Sequence, residues 1–376
     1  MGNGKESPGP DAVSIVDDLL RRAILRQSSD VHFEPDEGFM RVRYRMDGLL
    51  HDVDRLPGSV SENIVARLKV LSGLLTYRTD VPQEGSFAAN GCAPAGMPPV
   101  DVRVATFPTV RGERVAVRFM YADVRVTSLD GLGLRPDMVA GLRKAVERPG
   151  GLILVTGPAG SGKSTTLYAL ARHILAVTPG RSVVSLEDPV EQRVAGMAQI
   201  QVSPHGELDY LRAMRSLLRQ DVQVLLVGEI RDAETAHVVV EASLTGHLIL
   251  STMHSGDPAE AIARLLEMGI APYQLVSALS VVSSQRLLRT VCTTCGNKGG
   301  TCEACAGTGY RGRTACGQIA VIDEPLRQAI LQRTAAGELR RQILKNGPDL
   351  IADARRLERE ARTTQDEILR VFGALE

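Results

Sequence analysis

Tryptophan is absent from the 376 residues, and aromatics make up only 3% of them. The interior must therefore be packed mostly from aliphatic side chains. A groove of stacked aromatics for single-stranded nucleic acid has no material to be built from. An excess of either charge is also missing: 44 Lys+Arg face 44 Asp+Glu. No whole-chain field draws the molecule to a polyanion or a membrane surface, so no nucleic-acid partner is expected. Uninterrupted apolar runs stay well short of the roughly 18 residues that span a bilayer. The opening MGNGKESPGP has no apolar core of a secretory signal, and residues 1–10 read as a short disordered tail. Cysteines number six, and four of them fall in two C-x-x-C pairs. Without a signal, that spacing favours metal thiolates in a reducing cytoplasm over disulfides.

What the chain does have is a glycine loop. Residues Gly157 to Thr165 read GPAGSGKST, which fits G-x-x-x-x-G-K-[ST]. Gly157, Pro158, Ala159, Gly160, Ser161 and Gly162 can turn successive backbone N–H groups around a phosphate. A helix starting near Gly162 adds its positive end. Lys163 brings a mobile cation to the outer phosphates, and the Ser164 hydroxyl can ligate Mg. An apolar run, Gly151 to Thr156, precedes the loop, and a helical pattern from Thr165 to Leu175 follows it. Strand, loop, helix is the context such a motif needs, so nucleoside triphosphate binding is expected.

Organisation follows the periodicities. Residues 11–122 read as a compact N-terminal α/β domain. Apolar positions from Ala12 to Ile24 recur at helical spacing, with Asp11 placed to cap them, and 30–34, 40–45, 100–105 and 114–119 alternate as strands do. A helix is expected around Glu62 to Leu75, and 90–99 as a patternless loop. Residues 123–149 read as a linker with one helix. From 150 to 290, apolar strands alternate with helices, which predicts a parallel sheet covered on both faces. The cysteine segment occupies 291–318. Residues 319–376 are helical and polar, with a T-x-x-E capping box at Thr364–Glu367.

Two acidic segments end apolar strands: SLEDPVE, containing Glu187, and VLLVGEIRD, containing Glu229. Acids at such strand ends face the crevice where open α/β sheets bind ligands. There they can hold Mg through its waters and orient an attacking water. A third strand is bracketed by His247 and His254, with Ser251-Thr252 placed to meet a γ-phosphate.

Cys292, Cys295, Cys302 and Cys305 supply four thiolates, the tetrahedral set that Zn prefers, with six residues between the pairs. Four thiolates leave no open position, so the Zn they hold is structural.

The series GPAGSGKSTTLYA, SLEDPVE, VGEIRDAETA and TGHLILSTMH resembles the Walker A, Asp-box, atypical Walker B and His-box motifs of the secretion ATPase superfamily. That superfamily powers type II secretion and type IV pilus assembly. The resemblance extends upstream through SSDVHFEP and VDVRVATFPTVRGERVAVRF and downstream through SSQRLLR, TGYRGR and TTQDEILRV, covering about residues 11–372. It implies a RecA-like P-loop core, a PAS-like N-terminal domain, and a form that lacks the family's first N-terminal domain. Gly157 to Ser164 and Thr165 would then bind ATP. Glu187 would polarise the attacking water, Glu229 would organise Mg with Ser164, and His247 and His254 would line the γ-phosphate side. The division of roles between Glu187 and Glu229 stays open. Arg103 and Arg118 match family arginines that reach the phosphates from the N-terminal domain; a surface salt bridge is the other reading of either. Tetracysteine knuckles are similar to those of secretion and pilus-extension members. The resemblance implies a cytoplasmic homohexamer that acts on an inner-membrane platform protein, with a membrane adaptor as a possible further partner. The alternative is a nucleotide-binding scaffold subunit with little turnover.

Overall fold

The computed structural model describes residues 11–89, 100–121, 126–202 and 210–374. The expected tail at 1–10 and loop at 90–99 lie outside them. The chain divides into two compact units, Met1–Val124 and Arg125–Glu376.

The first unit is a six-stranded antiparallel sheet with two helices. Its elements are α1 (Ala12–Leu25), β1 (Asp30–Asp36), β2 (Phe39–Met46), β3 (Leu49–Pro57), α2 (Ser61–Leu71), β4 (Gln83–Ala88), β5 (Val100–Thr109) and β6 (Gly112–Tyr121). The strand order is β3-β2-β1-β6-β5-β4. Strict alternation explains it: Met40, Val42, Tyr44, Val102, Val104, Val115 and Val117 all face the helices' stripe of Val16, Leu19, Leu20, Ile64 and Leu68. The intervening residues of β1, β2 and β6, with Arg111 in the turn before β6, carry charge: Glu34 pairs with Arg43 and Arg114, and Asp36 with Arg41 and Arg111. Asp11 stands at the N-cap of α1, but its side chain caps nothing; the Ser14 hydroxyl donates to the Asp11 carbonyl instead. The helix expected to reach Leu75 stops at Leu71, where Ser72 caps it and left-handed Gly73 (φ +69) turns the chain.

The second unit is built on a seven-stranded sheet in the order β13-β12-β7-β11-β10-β8-β9. Its elements are α3 (Pro136–Val146), β7 (Gly151–Thr156), α4 (Lys163–Val177), β8 (Val183–Glu187), β9 (Ala198–Gln201), α5 (Tyr210–Leu217), β10 (Val224–Val227), α6 (Ala233–Leu244), β11 (Leu248–Met253), α7 (Pro258–Glu267), α8 (Pro272–Ala278), β12 (Leu279–Val291), β13 (Tyr310–Val321), α9 (Glu324–Leu331), α10 (Ala336–Lys345), α11 (Leu350–Arg359) and α12 (Gln365–Phe372). All pairings are parallel except β12 with β13. Helices cover both faces, so β7, β8, β10 and β11 are buried throughout and are apolar except near their C-terminal ends.

The one helix expected in 123–149 is α3, and its Met138, Val139, Leu142 and Val146 are buried against the sheet. At about 1.5–3 kcal/mol for each such side chain, burial outweighs any tendency to remain a free linker. The cysteine segment is the tip of the β12–β13 hairpin rather than a separate body, because β13 returns through residue 321 as the sheet's edge strand. The residues after 318 therefore begin in a strand. The capping box forms only in part. Thr364 accepts from the Glu367 N–H, but the Glu367 side chain turns to the Arg289 backbone and guanidinium on β12 and to Arg370.

Candidate active site

Parallel register gathers the chemistry on one edge of the second unit's sheet. Met253 lies opposite Thr156, Val227 opposite both Leu186 and Ser251. The last residue of β8 and those that follow β7, β10 and β11 therefore emerge together: Glu187, Gly157, Gly228-Glu229 and His254. Between them is a cleft of ≈ 1180 Å³ lined by Lys163, Ser164, Thr165, Glu187, Glu229 and His254, among others.

The loop has the geometry its residues demand. Gly157, Gly160 and Gly162 all have positive φ, and a Cβ on Gly157 would sit 2.4 Å from the Ser161 hydroxyl and 2.6 Å from the Gln285 carbonyl oxygen. Helix α4 begins at Lys163 and directs its unpaired N–H groups into the cleft. Lys163 Nζ donates to the carbonyls of Gly157 (2.9 Å) and Pro158 (3.0 Å). Burial holds its pKa below the usual lysine value, against the opposing pull of Glu229.

The two acids differ in kind. Glu229 accepts from Arg231, and its other oxygen lies 3.4 Å from His254 Nε2. Burial alone would raise its pKa, but Arg231, His254 and Lys163 together hold it below the usual glutamate value. Glu187 is buried and fully engaged. Tyr168 donates to one oxygen; Ser185 and Gln199 donate to the other. Burial and this carboxylate push the Tyr168 pKa far up, so the phenol stays a donor.

His247 is not in this cluster. It precedes β11, and Leu248 pairs with Gly151 at the start of β7. Six residues of parallel strand put it about 20 Å from the loop edge. Its Nδ1 lies 3.1 Å from the Ala242 carbonyl, closing the end of α6. The expected contact between His247 and the γ-phosphate is thus replaced, within this unit, by a structural role. Ser251 is likewise buried, donating to the Val227 carbonyl, and Thr252 donates to that of Gly228. The pair braces β10, and Thr252 also lines the cleft. Arg103 and Arg118 belong to the first unit, where they face each other across β5 and β6. Arg118 Nε donates to Asp30 (2.9 Å), and Arg103 is exposed. The sequence reading gave no role to Tyr168, Arg231 or Gln285. For Gln285 a signal existed: polar Ser283-Ser284-Gln285 interrupts an apolar strand.

The four cysteines meet at the hairpin tip. Their sulfurs all lie within 4.8 Å of one another, with Cys295 and Cys305 3.8 Å apart. A tetrahedral ion with metal–sulfur bonds of about 2.3 Å requires sulfur–sulfur edges of about 3.8 Å. The donor set and its spacing fit Zn.

A phosphate loop on a parallel sheet, with acids at two neighbouring strand ends, defines a P-loop ATPase. The Type II/IV secretion system protein family model matches residues 7–370, and the chain belongs to that family. The chain is 39% identical to the type II secretion system protein HxcR of Pseudomonas aeruginosa, over 96% of this chain and 78% of that protein. It is 37% identical to the type II secretion system protein E of Dickeya dadantii (94% and 76%). To the type IV pilus assembly ATPase PilB of Thermus thermophilus it is 36% identical, over 89% of this chain but 40% of that longer protein. Among solved structures, the ATPase DotB of Legionella pneumophila superposes with a TM-score of 0.74 at 20% identity, covering 97% of this chain and 96% of that one. The pilus retraction motor PilT with bound ADP gives 0.65 at 21%, covering 96% and 97%. These two likenesses concern the fold. No helix among the described residues is long and apolar enough to cross a membrane.

Proposed function

We propose that this ATPase is the cytoplasmic, Mg-dependent motor of a type II secretion or type IV pilus machine. It would work as a homohexamer on an inner-membrane platform protein, with a membrane adaptor as a further contact, and drive pseudopilin or pilin assembly. The observation that carries the reading is the convergence of Lys163, Ser164, Glu229 and His254 in one cleft. The names of the relatives supply the machine.

In this reading the loop N–H groups and Lys163 bind the outer phosphates of ATP. Mg would supply positive charge between those phosphates, held by the Ser164 hydroxyl and, through water, by Glu229. Glu229 is suited to that role because its neighbours keep it ionised. His254, paired with it, stands where a terminal phosphate is read. Glu187, immobilised by three donors, orients rather than moves. Arg103 and Arg118 would add charge from an N-terminal unit, and its closure on ATP would turn hydrolysis into motion. The four cysteines would hold one structural Zn that fixes the hairpin tip.

Purified full chain with Mg-ATP should release phosphate well above a Glu229→Gln control and should co-purify with a candidate platform protein. Tight ATP binding with no turnover above that control would select the scaffold reading instead.

A further inference from the structure

We infer that Gln285 is a positioning residue for the phosphate loop: its buried side-chain amide fixes the direction of the Gly162 N–H. Gln285 lies on β12, the strand beside β7, and is almost wholly buried. Its Nε2 donates to the Ser161 carbonyl (2.9 Å), and its Oε1 accepts from the Thr166 hydroxyl (2.9 Å) in the first turn of α4. One amide thus holds the loop on one side and the helix start on the other.

The consequence follows from peptide geometry. The Ser161 carbonyl and the Gly162 N–H share one planar trans unit and point in opposite directions. Drawing that carbonyl towards β12 turns the Gly162 N–H away from β12, towards the phosphates. A nest works only if consecutive N–H groups converge, and a free peptide at a glycine can flip. The Ser161 carbonyl can only accept, so it takes the nitrogen end of the amide, and the Thr166 hydroxyl donates to the oxygen end that remains. The loop also packs closely against this side chain: a Cβ on Gly162 would sit 3.1 Å from Gln285 Nε2.

The inference rests on the nucleotide reading of the cleft, so wild-type full chain is first titrated with Mg-ADP by calorimetry. Absence of binding there defeats that reading itself. Gln285→Met keeps length and bulk but neither hydrogen bond. It is expected to weaken Mg-ADP about tenfold, the worth of one misdirected N–H to a phosphate. The KM for ATP should rise by a similar factor, with kcat at saturation changed less than about threefold. Thr166→Val removes only the hydroxyl that anchors the oxygen end of the amide and should weaken ADP by about two- to fivefold. An ADP affinity within twofold of wild type for Gln285→Met overturns the inference. So does a fall in kcat or melting temperature with KM unchanged. Should Gln285→Met not fold, an unaltered ADP affinity in Thr166→Val has the same force.

Discussion

At the scale of single residues, the two carboxylates invite different outcomes from the same substitution. Glu229 faces the cleft, and the Arg231 and His254 at its oxygens are themselves largely exposed, so its charge adds little to stability. Glu229→Gln should therefore lower phosphate release by about 100-fold or more while leaving the melting temperature near wild type. Glu187 accepts from Tyr168, Ser185 and Gln199 in the interior. Glu187→Gln puts an NH2 where one of these donors points, so it should cost about 1–3 kcal/mol of stability as well as activity. A thermal melt beside a phosphate-release assay separates the two patterns. The placement of both glutamates in the cleft was legible in the sequence, because two acids follow apolar strands in a chain that also has a phosphate loop. His247 teaches the converse. A family resemblance set it beside the phosphate, whereas parallel pairing alone puts residues before and after one strand on opposite edges. Tyr168 was hidden for a simpler reason: within an apolar helical stripe, nothing in the pattern distinguishes a packed ring from a hydrogen-bond donor.

At the scale of elements, the legible parts were those governed by local periodicity. Strand alternation in β5 and the unbroken apolar run of β7 both appear in the burial of the structure. The return of β13 and the docking of α3 depend on long-range pairing, which no window of sequence records. The anchoring of α12 is of the same kind. Buried Glu367 leaves its own helix cap to bond Arg289 and Arg370, and Arg289 also stacks 3.9 Å over Tyr310. Burial alone would raise its pKa, but these arginines hold it below the usual glutamate value. A depressed folded pKa means that the contribution to stability is full above the ordinary carboxylate range and is lost as pH falls through the folded value. Glu367→Gln should thus cost about 3 kcal/mol at neutral pH, the low end for a broken buried pair. The gap to wild type should close in melts taken at progressively acidic pH. The hairpin tip carries its own test. The purified chain should hold one equivalent of Zn, released by a chelator and absent from Cys305→Ser. Amide exchange should then accelerate at the tip while β7 and β11 stay protected, because the latter are buried independently of the tip.

At the scale of the whole molecule, the open matter is whether hydrolysis is completed by the second unit alone or needs the first. Arg103 decides between these because it does so little else. It lies exposed on β5, on the face of the sheet opposite α1 and α2, and faces Arg118 across the ladder. Two like charges directly opposite repel, and Asp30 relieves this by taking the Arg118 guanidinium. Removing Arg103 takes away a repulsion and no buried contact, so Arg103→Ala should change stability by no more than about 0.5 kcal/mol. If the second unit were sufficient, ATP turnover would be equally indifferent. The motor proposed above instead uses Arg103 as a cation at the phosphates, and kcat should then fall about tenfold or more. Mg-ADP affinity should change little, since the loop that holds the inner phosphates is untouched. Arg118→Ala is the less clean probe, because it also removes one of the two arginines paired with Asp30 and should lower the melting temperature of the first unit. Phosphate release by Arg103→Ala at an unchanged, wild-type rate would leave the first unit a scaffold and confine the chemistry to the cleft around Lys163 and Glu229.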